Sequence, residues 1–486
     1  MSATTTTTVQ LGSAPLTWQE YEAVVYGDAS VALAQDAGAA AARATLEERL
    51  AAGETVYSVN TGYGAEASLQ LPAEKLDRVQ VNTLRSMAMS SGEPASEAVV
   101  RGAMLLAARA YAQGPPAMGP ELLDRFVELL NRRVHPVVPL AGTQSTSDIV
   151  QGAHVGLVLI GEGEAWIDGE RRPATDAGLA PIALVPKDGG GVVNNHTFTV
   201  ALAIDALRSA ERFVDQAEQV AAMTLQALGG HPDSYDERLI GLNPHPGALA
   251  AAAHMRALLD GSELVRAPGR PHDPFSLRGL PQVHGASRDA LAHARAVLEV
   301  ELGAVTDNPV VVEGGRIFSS CNFHGAPIAL PLDLVAIAVH EVASLSQRRV
   351  AQLIDPLPNV PDVPAKLTPE PNERFGLVQL GNVAAALIGE VAMRTRPVSP
   401  DAVTVDVMED HVTMGALAAR KAAEAAALGR RVLAVELACA AQALDFRGVQ
   451  GASAPARELH AAVRERIAFV DEDRPLRLDL LWELLA

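Results

Sequence analysis

Phe198–Leu228 carries a near-continuous helical pattern, long for a helix of a globular protein. Ile328–Leu353, Leu377–Thr395 and Thr413–Leu444 repeat that character. Segments of this length and apolarity bury their faces against one another, which predicts a mainly α chain built as a bundle of long helices. Composition agrees: 48% of the 486 residues are hydrophobic, Ala and Leu dominate, and aromatics make up only 4%. Shorter helices are expected from Thr17 onward, through Val31–Ala52, and over Leu76–Met89, Ala95–Gln113, Glu121–Arg133, Ala248–Leu259 and Ala286–Gly303. Two hairpins are expected, Glu164–Arg171 around Asp168-Gly169 and Val310–Ser319 around Gly314-Gly315. Residues 1–14 are Thr-rich and expected to fray, and Pro268–Gly285 reads as a polar crossing. No flexible linker divides the chain. The nearest thing to a boundary, Asn194–Thr199, separates an N-terminal part, 1–197, from a long-helix part, 198–486, within one integrated unit.

The formal net charge of −19 argues against nucleic acid or an anionic membrane as the main partner. Cys321 and Cys439 are too few and too far apart for a disulfide framework or a CxxC metal site, and fit a reducing cytoplasm. MSATTTTTVQLGS has neither the basic nor the apolar region of a signal peptide. No uninterrupted apolar run reaches the length of a bilayer span. The expectation is a soluble, cytoplasmic protein without a membrane partner.

The polar motifs sit in the connections. Pro139–His154, PLAGTQSTSDIVQGAH, is a small-polar loop opening onto an apolar helix, with Asp148 placed as a cap. That is either an ordinary N-cap or a backbone-donor site for negative charge. Tyr57-Ser58-Val59-Asn60-Thr61-Gly62-Tyr63-Gly64 reads as a packed core aromatic or as a mobile functional loop. Lys187–His196 holds Gly189, Gly190 and Gly191 and reads as a loop able to approach a ligand closely. Arg278, among Phe, Leu and Pro, suits a buried ion pair or a bidentate carboxylate grip, and the residues alone leave both open. Glu409-Asp410-His411 precedes a long helix and reads as a capping cluster, and Asn322-Phe323-His324-Gly325 as a turn. His324 and His411 lack metal-helix spacing, and no metal site is expected. There is no GxxxxGK[ST] loop and no GxSxG elbow, and the three glycines lack dinucleotide-fingerprint spacing.

Taken together, YSVNTGYG, NPHPG, DPFSLRGLPQVHG, TDNP, NFHG and MEDHVTM resemble the signatures of the aromatic amino acid ammonia-lyase and aminomutase superfamily, which includes histidine ammonia-lyase. The resemblance runs from about Tyr57 to about Lys421, in the family's order. It implies a histidine ammonia-lyase-like, almost all-α fold and a homotetramer whose active sites draw on more than one subunit. It implies Tyr57 as catalytic base on a lid loop, Arg278 on the substrate carboxylate and Asn194 supporting an electrophile. Phe323 would pack beside that electrophile, with Asn322 next to it, and Glu409 would face the substrate amine or side chain. A free tyrosine keeps its proton to about pH 10, so a base of this kind needs help from nearby amides or helix ends.

The family's electrophile, 4-methylideneimidazole-5-one, forms from an internal Ala-Ser-Gly, and the glycine permits the close backbone attack. Here the stretch is Gly142-Thr143-Gln144-Ser145-Thr146-Ser147-Asp148, and two registers stand open, Thr146-Ser147-Asp148 or Ser145-Thr146-Ser147. Neither supplies glycine, so formation of the group from residues 145–148 is disfavoured and no other cofactor is expected. Phe275 stands at the family's second tyrosine. Ser86-Met87 replaces the Ser-His pair associated with histidine specificity, and Met408 replaces a Gln. The altered Lys187–His196 segment reshapes the pocket wall.

Three readings follow. The first is a diverged enzyme performing acid–base elimination, addition, isomerisation or cyclisation on a small carboxylate-bearing, amino acid-like substrate without the prosthetic group. Thr146, Ser147 and His196 then take the electrophile's place. The second is a conventional ammonia-lyase or aminomutase with an unusual cyclised tripeptide. The third is a non-catalytic scaffold, which retention of Tyr57 and Arg278 disfavours.

Overall fold

The computed structural model describes residues 7–35, 38–266, 271–356, 360, 362–400, 403, 405 and 407–486. The chain packs into two compact units that alternate along the sequence. The first comprises Met1–Asp205, Arg295–Leu330 and Val398–Ala419, and the second Ala206–Ala294, Pro331–Pro397 and Arg420–Ala486. The division falls inside four long helices, Thr197–Ala227, Leu280–Glu301, Ala326–Ile354 and Gly415–Arg447, the last of 33 residues. Each long stretch read from the sequence is therefore helical, with Gln379–Ala392 between the last two.

The first unit is held together by helices whose ends are written in the sequence. Thr17 and Glu20 form a reciprocal capping box for Trp18–Val25. The Ser96 side chain caps Glu97–Gln113, a helix buried on almost every face, which Gly114 stops at φ 119°. Both expected hairpins form, Glu164–Ile167 with Glu170–Pro173 and Val310–Val312 with Arg316–Phe318. Asp168 and Gly169 turn the first at φ 53° and 78°, the positive values a two-residue hairpin needs.

Three expectations fail. Thr8–Leu11 is not frayed: it pairs in parallel with Ser30–Leu33, and within the expected Val31–Ala52 stretch helix runs only from Ala39 to Ala51. Thr8–Leu11 alternates exposed and buried, and the Asn131 amide bonds both the N–H and the C=O of Val31, at 2.8 and 2.9 Å, which fixes that strand. Residues 1–6, 36 and 37 lie outside the described residues. The Pro268–Gly285 crossing contains a helical turn, Phe275–Arg278, and the next helix starts at Leu280, while 267–270 lie outside the described residues. Finally, Ala326–Ile354 is long and apolar enough to cross a bilayer. With 72% of its most apolar window buried in protein, it is built as a core helix.

In the second unit a fully buried ion pair, Arg349 to Glu436 at 2.6 Å, also takes the Thr224 hydroxyl at 2.7 Å. The same arginine donates to Ser276 O at 3.1 Å, Gln352 donates to Ser276 Oγ at 2.8 Å, and Tyr235 donates to Leu277 O at 2.8 Å. These bonds pin the Phe275–Arg278 turn from several sides.

Candidate active site

In the first unit the 142–148 loop is clasped by other segments rather than by its own helix. Asp148 precedes Ile149–Leu159 but makes no side-chain cap there, contrary to expectation. Its carboxylate accepts Thr143 Oγ1 at 3.0 Å, Thr199 Oγ1 at 2.7 Å and Thr199 N at 2.8 Å. It thus serves the first turn of Thr197–Ala227. Burial raises the Asp148 carboxyl, and the threonine donors and His196 pull it partly back. Ser145 Oγ shares a hydrogen bond with Thr199 Oγ1 at 3.1 Å and accepts Ala416 N at 2.6 Å, and Ser145 O accepts Gly325 N at 3.0 Å and Thr413 Oγ1 at 3.4 Å. Ser147 donates from Oγ to Asn194 Oδ1 at 2.7 Å and from N to Phe323 O at 3.4 Å. Thr146 bridges to His324, and its hydroxyl is buried without a hydrogen-bond partner among the described residues.

Tyr57 is half-buried on a loop whose phenol oxygen accepts Gly64 N at 3.3 Å. Its ring stands edge-on to Tyr63, centroids 6.4 Å apart, and Tyr63 shares a hydrogen bond with Thr83 at 3.3 Å. Burial holds the Tyr63 phenol above its usual range. Beneath lies a correction: Asp188–Val193 is a short buried helix, not a ligand-facing loop. Its glycines admit protein. A Cβ on Gly189 would lie 2.6 Å from Gln80 O, and one on Gly191 2.3 Å from Met118 Sδ. On Gly190 it would press on the Tyr63 hydroxyl at 3.1 Å and on Ser58 Oγ at 3.3 Å. The helix therefore seats the tyrosine loop at one end and delivers Asn194 to Ser147 at the other. Asn194 is spent on position, since its Nδ2 donates to Asn308 O at 2.9 Å.

His196 is 1% exposed and donates to acceptors on both ring nitrogens, Phe323 O at 2.9 Å and Glu301 Oε2 at 3.0 Å. Burial opposes its charge, but Glu301, Asp148 and the carbonyl outweigh that and raise it. It is a buried cation behind the loop, positioning Phe323 through its backbone. Lys187 meets Asp307 at 2.7 Å, and burial still pushes that carboxyl up to about 6 against the pull of the ammonium. His324 and His411 stack, with Nε2 to Nδ1 at 3.1 Å. The helix from Gly415 takes Thr413 Oγ1 on its first N–H, at 3.2 Å, while Asp410 stays exposed.

The expected residues thus separate into groups. Thr146, Ser147, Asn194, His196 and Phe323 form one connected cluster. Tyr57 joins it through Tyr63 and the glycine helix. Ser86 donates to Thr83 O at 3.3 Å, and Met87 is half-buried at the same helix end. Asn322 is exposed, and Glu409 is half-buried with its carbonyl accepting Val405 N at 3.0 Å. Phe275 and Arg278 belong to the second unit. There they line a cleft of about 710 Å³ with Arg348, Asn243 and Gln282. Arg278 lies 4.6 Å over the Phe275 ring, and its Nε is buried without a partner among the described residues. Sequence reasoning missed Glu301 and Thr199, whose partners are distant in the chain and carry no local signal.

Asp215, Glu218 and His254 have the spacing of metal ligands. Arg288 already bridges Asp215 at 2.6 Å and Glu218 at 2.7 Å, so that cluster is charge-satisfied without an ion.

The ring that the resemblance implies needs a central residue able to lose water and a third residue free to attack through its nitrogen. Ser145 and Ser147 both lie in the left-handed region that glycine favours, at φ 66° and 74°, so each register is weighed by its own chemistry, first with Thr146 in the centre. Dehydrating a central threonine yields an ethylidene carbon with an added methyl, not a methylidene, and Thr146 is 7% exposed. In the other register the attacking nitrogen is that of Asp148, which is bound to Asn195 O at 2.6 Å and anchored by three donors on its carboxylate. The residues present do not fit 4-methylideneimidazole-5-one.

The family model described as aromatic amino acid lyase matches residues 16–465. A histidine ammonia-lyase of Symbiobacterium thermophilum is 40% identical over 483 residues, covering 97% of this chain and 95% of that one. Among solved structures, the ergothioneine-degrading enzyme ergothionase from Treponema denticola, in complex with desmethyl-ergothioneine sulfonic acid, superposes with TM-score 0.94 at 26% identity over 98% of both chains. Tyrosine aminomutase from Streptomyces globisporus superposes with TM-score 0.92 at 29% identity, covering 98% of this chain and 96% of that one.

Proposed function

Since the chain belongs to the aromatic amino acid lyase family, we propose that it is a carbon–nitrogen lyase that eliminates an amine from an amino acid-like, carboxylate-bearing substrate. The naming of its relatives favours a conventional lyase reaction over the isomerisation, cyclisation or addition of a diverged enzyme, and argues against a scaffold. The carrying observation is Tyr57, on a glycine-seated loop with a backbone N–H donated to its oxygen. That bond fixes the position of the phenol oxygen, which proton removal by a tyrosine requires. Arg278, with a buried and unengaged Nε, is the carboxylate clamp of this reading, and its planar fork suits that ligand. Glu409 serves the substrate amine or side chain. Ser147, Asn194 and His196 act as positioning residues, because their polar atoms are committed to protein. The homotetramer with shared active sites and a cytoplasmic setting belong to the same reading.

The test offers histidine, tyrosine, phenylalanine and their N-methylated forms to wild type and to Tyr57→Phe, following the ultraviolet rise of an unsaturated acid. Turnover by wild type and its loss in Tyr57→Phe are expected. A fully active Tyr57→Phe enzyme removes the proposed base.

A further inference from the structure

The mismatch between the loop and the electrophile bears on what can leave. We propose that residues 145–147 remain an open peptide and that the substrate is a quaternary ammonium acid, an amino acid whose α-nitrogen carries three alkyl groups. This rests on the lyase reading above.

The physical reason lies in proton competition. A phenolate has a conjugate acid of pKa about 10 and an α-ammonium one of about 8, so the base takes N–H long before it takes C–H. The discharged amine is then a very poor leaving group. A covalent electrophile solves this by holding the nitrogen as an adduct. The first unit offers no such carbon: with Thr146 central, its hydroxyl is sealed in the protein and Ser147 carries a side chain where ring closure wants none, and with Ser147 central the attacking nitrogen, that of Asp148, is held by Asn195 O at 2.6 Å. A quaternary nitrogen has no N–H to lose, so its charge persists until the carbon–nitrogen bond breaks. Atoms and electrons then balance without a co-reactant. The Cβ–H proton goes to the Tyr57 oxygen, its electron pair becomes the Cα–Cβ π bond, and the C–N pair departs on a neutral trialkylamine. Such cations are held by aromatic faces rather than by acceptors, and the tyrosine loop presents Tyr57 beside Tyr63.

Two readouts test it. Intact mass of the purified wild-type protein is expected to equal that of the uncyclised chain, and a mass short by two waters overturns the proposal whatever the activity. Turnover is then compared for matched pairs: histidine, tyrosine and phenylalanine against their α-trimethyl betaines, with trimethylamine and the unsaturated acid both measured. The betaine of at least one pair is expected to exceed its primary amine by about a hundredfold or more in kcat/KM. Equal or better use of the primary amines overturns the quaternary assignment and leaves the lyase reading standing. Consumption of neither set sinks the lyase reading and this inference together.

Discussion

Replacing Asp148 asks how firmly the loop is held. Its carboxylate takes three donors, two threonine hydroxyls and the Thr199 N–H, in a site closed to water. Alanine strands all three. The hydroxyls can rotate to other acceptors, but the N–H cannot, and a stranded buried donor costs about 1–3 kcal/mol. Asp148→Ala should therefore lose about 3 kcal/mol of unfolding free energy, on the scale of those penalties. Asparagine can keep its Oδ1 on the Thr199 N–H and donate Nδ2 to a hydroxyl, and it carries no charge to bury. Because burial raises the carboxyl, ionisation works against the fold, and that part of wild-type stability is lost as pH rises through the raised pKa. Asp148→Asn should then cost about 1 kcal/mol, and less at pH 7 than at pH 4. Urea unfolding followed by tryptophan fluorescence reads both variants. An alanine variant within about 0.5 kcal/mol of wild type, with an unchanged m-value, refutes the clasp.

Other consequences are open to measurement. His135 is buried against Arg101, with Glu97 on its other nitrogen, and burial followed by the guanidinium depresses it to about 4. Its stabilising contribution is complete above the unfolded pKa of about 6.5 and falls by up to about 3 kcal/mol as pH drops to 4, so His135→Gln should flatten thermal stability across that window. Ser147→Gly relieves a left-handed residue and loses the Asn194 bond, whereas Ser147→Ala loses the bond and keeps the strain. The glycine variant should be the more stable of the two by about 1 kcal/mol in chemical denaturation. If active sites are shared between subunits, inactive Tyr57→Phe and Arg278→Met proteins unfolded and refolded together should regain activity at roughly a quarter of their sites, while no recovery argues for sites within one subunit.

What the sequence revealed follows the range of the forces involved. The long helices were legible because their periodicity is local and the apolar face repeats every turn. The Thr8–Leu11 and Ser30–Leu33 pair was not, because the Asn131 amide that fixes Val31 lies 100 residues away. The glycines of Lys187–His196 announced close approach but not its object, which is the backbone of Gln80 and the thioether of Met118. Arg278 offered an ion pair or an anion grip. In the fold the buried ion pair belongs to Arg349, which steadies the turn and leaves the Arg278 Nε unspent. His196 was noticed, but the Glu301 that charges it sits 105 positions on with nothing in its surroundings to mark it.

The 142–148 loop shows how packing can hold a bend that its residue types do not favour. By residue type, Thr146-Ser147-Asp148 keeps a serine in the centre, Ser145-Thr146-Ser147 keeps Asp148 outside the ring, and neither supplies glycine. Ser145 and Ser147 both occupy the left-handed region, at a cost of roughly 1–2 kcal/mol for an L-residue, and at Ser147 the bonds to Asn194 and Phe323 and the Thr143 hydroxyl on its carbonyl offset that. Such strain keeps a glycine-like bend in the loop without glycine. The clasp takes the side chains of Ser145, Ser147 and Asp148 and leaves the Thr146 hydroxyl without a partner among the described residues. Substitutions in the clasp should therefore destabilise the fold, whereas Thr146→Val, which gives up a hydroxyl without a partner among the described residues, should stay within about 0.5 kcal/mol of wild type in urea unfolding.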